Sequence, residues 1–294
     1  MWSVSGAIKL ISIASHRHFV KRALWQLVCF FLVVSFSATA DIRIEGNFVQ
    51  GGMLVGQGAE GASVWQDDKP VLVGKNGIFL LGFGRDSGPE SNLKIVYADG
   101  SLEKRTLKVK KRQYKVQRID GLPKRKVSPR SEKDLKRIRR DSAVVKAART
   151  RNDDRADFLD GFAWPVKGRI SGVYGSQRVL NGKPRRPHFG VDIARPTGTP
   201  VSAPADGIVT MAEPDLFFSG GTLIIDHGHK LSSTFLHLSK VSAKVGQVVK
   251  KGDVVGAVGA TGRVTGAHLD WRMNLRNRRI DPQLLVPRMP LDKE

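Results

Sequence analysis

Apolar and polar positions alternate in short runs from Asp41 to Asp120: Ile42-Arg43-Ile44, Ser63-Val64-Trp65, Val71-Leu72-Val73, Ile78-Phe79-Leu80-Leu81, Lys94-Ile95-Val96-Tyr97 and Thr106-Leu107-Lys108-Val109. A period of two sends alternate side chains to opposite faces of a strand, and Asn76-Gly77 and Asp99-Gly100 supply hairpin turns between runs. The pattern predicts a small antiparallel β-sandwich over 41–122, with a binding or spacer role. From Ser131 to Asn152 the period lengthens to that of a helix, with Ser131 as N-cap and Leu135, Ile138, Val145 and Ala148 along one face. Pro123 and Pro129 precede it and Phe162-Ala163-Trp164-Pro165 follows, which marks 123–160 as a helical linker. Beyond Trp164 the chain turns to Gly and β-branched residues, as in Gly207-Ile208-Val209-Thr210, Leu223-Ile224-Ile225-Asp226 and Val254-Val255-Gly256-Ala257-Val258. An all-β domain over 161–288 is expected, with a tail at 289–294, so the fold class is mainly β.

A different pattern opens the chain. Lys9, Arg17, Lys21 and Arg22 lead into an apolar run from Ala23 to Phe36 that closes on Ala38-Thr39-Ala40, the layout of a secretory signal peptide over 1–40. The mature chain is expected to start near Asp41 and to work in the periplasm or cell envelope. Its single cysteine, Cys29, lies inside the leader, so the exported fold must rest on its core without disulfides.

Charge then separates the linker from its neighbours. The chain has 49 Lys and Arg against 27 Asp and Glu, and 20 of the basic residues fall between Lys104 and Arg151. An exported polycation meets anionic envelope polymers or a membrane surface rather than nucleic acid, which is excluded as a partner.

Five of the seven histidines, His188, His227, His229, His237 and His268, lie in the last domain. His188-Phe189-Gly190-Val191-Asp192 offers an imidazole and a carboxylate around a glycine that permits a tight bend. His268-Leu269-Asp270 puts two ligand-type side chains on one face of a strand. Zinc in catalytic sites takes three protein ligands and keeps one open position. His188, Asp192 and one member of the His268/Asp270 pair would supply them. His227 and His229 read as a strand-end group and a turn residue.

These segments stand in an order that resembles the lysostaphin-type (LytM-like) zinc peptidases of peptidoglycan. The likeness runs through Gly168-Arg169-Ile170-Ser171-Gly172-Val173-Tyr174-Gly175, His188 to Ala194, Ala205-Asp206-Gly207, Phe235-Leu236-His237-Leu238, Gly246 to Gly252 and Thr261 to Asp270, about residues 164 to 285. The resemblance implies zinc held by His188 and Asp192, with His237 and His268 as catalytic partners. It also implies hydrolysis of amide bonds in peptidoglycan stems or cross-links by a metal-activated water, the D-alanyl to diamino-acid cross-link first among them. Phe235 stands where the family has tyrosine, and Asp270 where its second H-x-H histidine binds the metal.

A carboxylate is itself a competent zinc ligand, so Asp270 completes the set His188, Asp192, Asp270. Two carboxylates cancel the charge of zinc, and on ligand count alone the metal becomes a weaker Lewis acid, with slower turnover, a higher pH optimum or a changed metal preference. The rival class is a catalytically inactive relative that activates cell-wall amidases. A lipoyl- or biotin-type carrier lacks its modifiable lysine at a hairpin tip, and a wall-binding protein acting through the basic segment alone leaves the histidines without a role.

Overall fold

The chain segment Gly220–Asp226 and its neighbour Leu231–Leu238 are buried at every position, which only a central strand covered on both faces can be. In the computed structural model, which describes Trp2, 42–122 and 124–290, they form the middle of an eight-stranded antiparallel sheet. The rest of the expected leader with its Cys29, Pro123 and 291–294 lie outside the described residues. The sheet runs Val248–Val249, Gly207–Leu216, Gly220–Asp226, Leu231–Leu238, His268–Leu275, Val191–Ala194, Arg169–Gly172, with Arg278–Ile280 added alongside His268–Leu275. Among the described residues no helix is long and apolar enough to cross a membrane.

One strand shows how the sequence divides the two faces. In His268–Leu275 the odd residues Leu269, Trp271, Met273 and Leu275 enter the main core, while His268, Asp270, Arg272 and Asn274 point to the other side. The core side is closed by the three-stranded sheet of Pro200–Ser202, Val254–Ala257 and Lys240–Val241, which contributes Val201 and Val255.

The helix expected from Ser131 onward forms over Glu132–Ala147, and the Ser131 hydroxyl accepts from Asp134 N–H at 3.2 Å as its cap. It is not a free solvated rod: Val144, Val145 and Ala148 pack on Met211, Leu216 and Ile224, and buried Asp141 accepts the Phe217 N–H at 2.7 Å. The stretch Val116–Ile119, inside the bounds 41–122 but in none of the expected strands, pairs in parallel with Gln177–Leu180 beside the histidine-rich domain. Strand pairing thus cuts the chain earlier than the shift in composition at 122.

The N-terminal strands form a three-stranded sheet, Arg43–Gly46, Met53–Gln57 and Phe79–Gly82, and a four-stranded one, Lys69–Val71, Ser63–Gln66, Glu90–Val96 and Leu102–Lys108. Leu54, Phe79 and Leu81 pack with Val64, Leu93 and Ile95 of the second sheet. On its other face the three-stranded sheet sends Met53 and Leu80, with Ile78 at its edge, into the same core as Leu231, Leu275 and Ile280. A sheet shared by two cores explains why Ile78-Phe79-Leu80-Leu81 has no polar member. Arg276 donates to Leu80 O at 3.0 Å, and Arg112 pairs with buried Asp281 at 2.8 Å, so the expected spacer is a wall of the peptidase core. The described residues of 42–290 accordingly form one compact unit.

Candidate metal centre

Strand register assembles the first part of the site. Asp192 lies directly across from Asp270 on neighbouring strands, on the face turned away from the main core. His188 comes from the preceding loop, pinned by its own N–H to Ser176 O at 2.9 Å and by Gly175 N–H to its carbonyl at 2.7 Å. Its Nε2 lies 3.0 Å from Asp192 Oδ1 and its Nδ1 4.0 Å from Asp270 Oδ2. One ligand atom from each of the three residues lies within 4.8 Å of the others, and all three residues are buried.

Two glycines make room for this. A Cβ on Gly172 would sit 2.2 Å from Asp192 Oδ2, and one on Gly190 would sit 2.5 Å from Asp270 Oδ1 and 2.6 Å from Arg272 Cγ. His188 Nδ1 has no hydrogen-bond partner, and neither His188 Nε2 nor Asp192 Oδ1 has one beyond their mutual 3.0 Å approach. Buried polar atoms are ordinarily paired, because leaving one unpaired costs about 1–3 kcal/mol. A cation bound among them would satisfy all three, and imidazole with carboxylate oxygens is a donor set that suits zinc. The residues present therefore fit a divalent metal.

Electrostatics prepare the same state. Burial pushes the Asp270 carboxyl up, but the charge and two N–H bonds of Arg272 outweigh it and hold the group well below the usual carboxylate range. Asp192 is raised by burial and by Asp270, yet His188 and Arg178 hold it low; Arg178 donates to its Oδ2 at 2.7 Å. Both carboxylates are ionised, as metal ligation requires.

The two remaining histidines stand beside the cluster. His268 Nε2 is 3.8 Å from Asp192 Oδ1, and the His237 and His268 rings are 5.0 Å apart. Each donates from Nδ1 to a carbonyl, His237 to Thr261 at 2.9 Å and His268 to Gly266 at 2.8 Å. A carbonyl only accepts, so Nδ1 carries the proton and Nε2 is left with its lone pair. Burial also pushes His237 down to about 4, which keeps it neutral. His237 reaches the site through a bulge: the register shifts between Gly221/Leu223 opposite 235–238, and His237 takes φ = 66°.

The comparisons with known proteins agree with this geometry. The family model described as peptidase family M23 matches residues 186–282. A crystal structure of an M23 peptidase from Pseudomonas aeruginosa is 34% identical and superposes with a TM-score of 0.63, covering 80% of this chain and 93% of that one. The chain belongs to peptidase family M23. Among curated relatives of this M23 protein, peptidoglycan DD-endopeptidase ShyA of Vibrio cholerae is 40% identical over 121 residues, 40% of this chain and 28% of the relative. DD-carboxypeptidase/endopeptidase Mpg of Neisseria meningitidis is 38% identical over 117 residues, 40% of this chain and 27% of the relative. The matched stretch thus spans little more than a quarter of the length of each.

In this M23 site the five residues expected from the sequence, His188, Asp192, His237, His268 and Asp270, come together. Two arginines join them unforeseen. Arg272 was visible in principle, since it lies two residues beyond Asp270 on the same strand face, whereas Arg178 arrives from a distant strand with no local signal. Phe235 faces the core, opposite Trp271 and away from the metal-ligand face. Its exchange for the family tyrosine therefore does not touch the cluster.

His227 and His229 stay outside. His227 is fully buried, its Nδ1 2.6 Å from Asp206 O and its Nε2 2.8 Å from Ser233 Oγ, and His229 sits in a turn at φ = 49° against Phe158. Burial pushes His227 down to about 4 from an ordinary value of 6.5. The unfolded chain takes up a proton below pH 6.5 that the native chain refuses, so this stabilisation is complete above 6.5. It is lost as pH falls to 4, by up to about 3 kcal/mol. Urea midpoints of metal-free protein should drop between pH 7 and pH 4.5, and less steeply in His227→Gln; equal drops would count against the assignment.

Proposed function

We propose that this M23 protein is a zinc-dependent endopeptidase that hydrolyses amide bonds in peptidoglycan stems or cross-links. The observation that carries the reading is the buried cluster of His188, Asp192 and Asp270, with one ligand atom of each within 4.8 Å of the others, next to two histidines whose Nδ1 atoms are each bonded to a carbonyl. His188, Asp192 and Asp270 would hold the metal. Bound zinc supplies Lewis acidity at the scissile carbonyl and acidifies the attacking water.

The remaining work falls to the chain's own groups. The Nε2 of His237 or His268 takes a proton from the water and returns it to the departing amine, and each Nδ1–H bond to a carbonyl fixes the tautomer that makes this feasible. The names of the ShyA and Mpg relatives support peptidoglycan as substrate and an endopeptidic cut. An envelope location follows from that substrate and agrees with the signal peptide expected over 1–40. Exposed Lys104, Lys108, Arg118, Lys133, Lys136, Arg139 and Arg140 support a second contact, to anionic envelope polymers or a membrane surface.

Isolated sacculi incubated with zinc-loaded protein should release cross-link cleavage products, readable by mass spectrometry. A chelator should stop the release and zinc restore it. Intact sacculi together with a metal-free protein that stimulates a separate amidase would favour the inactive relative.

A further inference from the structure

Asp270 departs from the family pattern, and a charge of the opposite sign lies against it. Arg272 Nε donates to Asp270 Oδ1 at 2.9 Å and Arg272 Nη2 to Oδ2 at 2.5 Å, the bidentate fork that guanidinium forms with carboxylate. Both side chains project from the same face of one strand, and the Asp270 carboxylate is wholly buried. Each carboxylate oxygen keeps a second lone pair, so the fork does not use up the carboxylate's capacity to bind a cation.

We propose that Asp270 and Arg272 act together as one charge-neutral ligand, which replaces a neutral imidazole without changing the charge of the site. The inference rests on the metal reading above. An Asp–Arg pair and a neutral histidine both carry zero formal charge. A dication held by His188, Asp192 and this pair therefore meets the same net charge as one held by His-Asp-His. Arg272 is a positioning residue: it orients the carboxylate and cancels its charge, without touching substrate. The expectation of a weakened Lewis acid, made from the ligands alone, is offset by this residue. Gly190 belongs to the same device, because any Cβ there would strike both members of the pair.

Zinc affinity, measured by chelator competition at a fixed pH, tests the charge balance by its sign. Arg272→Gln leaves the Asp270 charge uncompensated and is expected to tighten zinc at least about tenfold. Asp270→His leaves Arg272 facing the dication alone and is expected to weaken zinc at least about tenfold. The double variant Asp270→His/Arg272→Gln should return to within about threefold of the native chain. Should Asp270→His fail to fold, Arg272→Gln and the double variant still decide the matter. Weaker zinc in Arg272→Gln, as a merely structural clamp would give, or an unchanged affinity, would overturn the proposal while leaving the metal centre standing. A native chain that binds no zinc would overturn both.

Discussion

Replacement of His188 by alanine is expected to reduce sacculus hydrolysis by about 10³-fold or more and to lower zinc content well below one ion per chain. A three-ligand site that loses its only nitrogen donor keeps two carboxylates, and both already answer to arginines: Asp192 to Arg178 and Asp270 to Arg272. Little charge is left over to retain a dication. His237→Ala should behave differently, losing about 10²–10⁴-fold in turnover with zinc retained, because the role proposed for its ring is proton transfer and not metal binding. The metal-free His188→Ala protein should melt within a few degrees of the metal-free native chain, since the ring makes no polar contact at hydrogen-bond distance beyond its 3.0 Å approach to Asp192, which keeps Arg178. Zinc content and hydrolysis that survive His188→Ala together would place the centre elsewhere.

A chain shortened to begin at Gln113 is expected to lose cooperative folding. It would strip Met53, Ile78 and Leu80 from the core they share with Leu231, Leu275 and Ile280. At about 1.5–3 kcal/mol for each buried side chain, the loss comes to several kcal/mol before polar terms are counted. The Arg276 bond to Leu80 O, the Arg278–Asp67 pair and the Arg112–Asp281 pair go with it, and Asp281 is left buried without its cation. Whole domains are stable by only about 5–15 kcal/mol. Arg85 would also cease to hold Gly175 O, whose own N–H supports the His188 carbonyl. The truncated protein should bind a hydrophobic dye and show no sharp thermal transition; a transition at the native midpoint would show that the N-terminal sheets are an independent attachment.

Much of the site was legible because its residues obey strand periodicity. His268 and Asp270 share a face two residues apart, and His188 and Asp192 flank a bend, so spacing offers four of the five groups as candidates and the family resemblance supplies their roles. His237 does not. Strict alternation through Phe235-Leu236-His237-Leu238 would put it on the core side with Phe235, and only the bulge at φ = 66° turns it to the metal. Arg178 was hidden because it reaches Asp192 from a strand of another sheet, and Arg272 because a search for metal ligands passes over cations.

The fold was readable to a similar depth. The strands of the peptidase sheet and the capped helix follow from local pattern. Met53–Gln57 was masked by Gly51, Gly52, Gly56 and Gly58 around its few apolar residues. Nothing local shows that a sheet will be shared by two cores, because the second partner lies about 150 residues further on.

Arg178 and Arg272 also decide the order in which the centre can be assembled. Many small metal domains are unfolded until the ion arrives, because their ligands repel one another or go unsatisfied without it. Here both buried carboxylates have their counter-charges supplied by the polypeptide. The chain can therefore fold before any ion is bound, and capture a metal as the last step of its maturation.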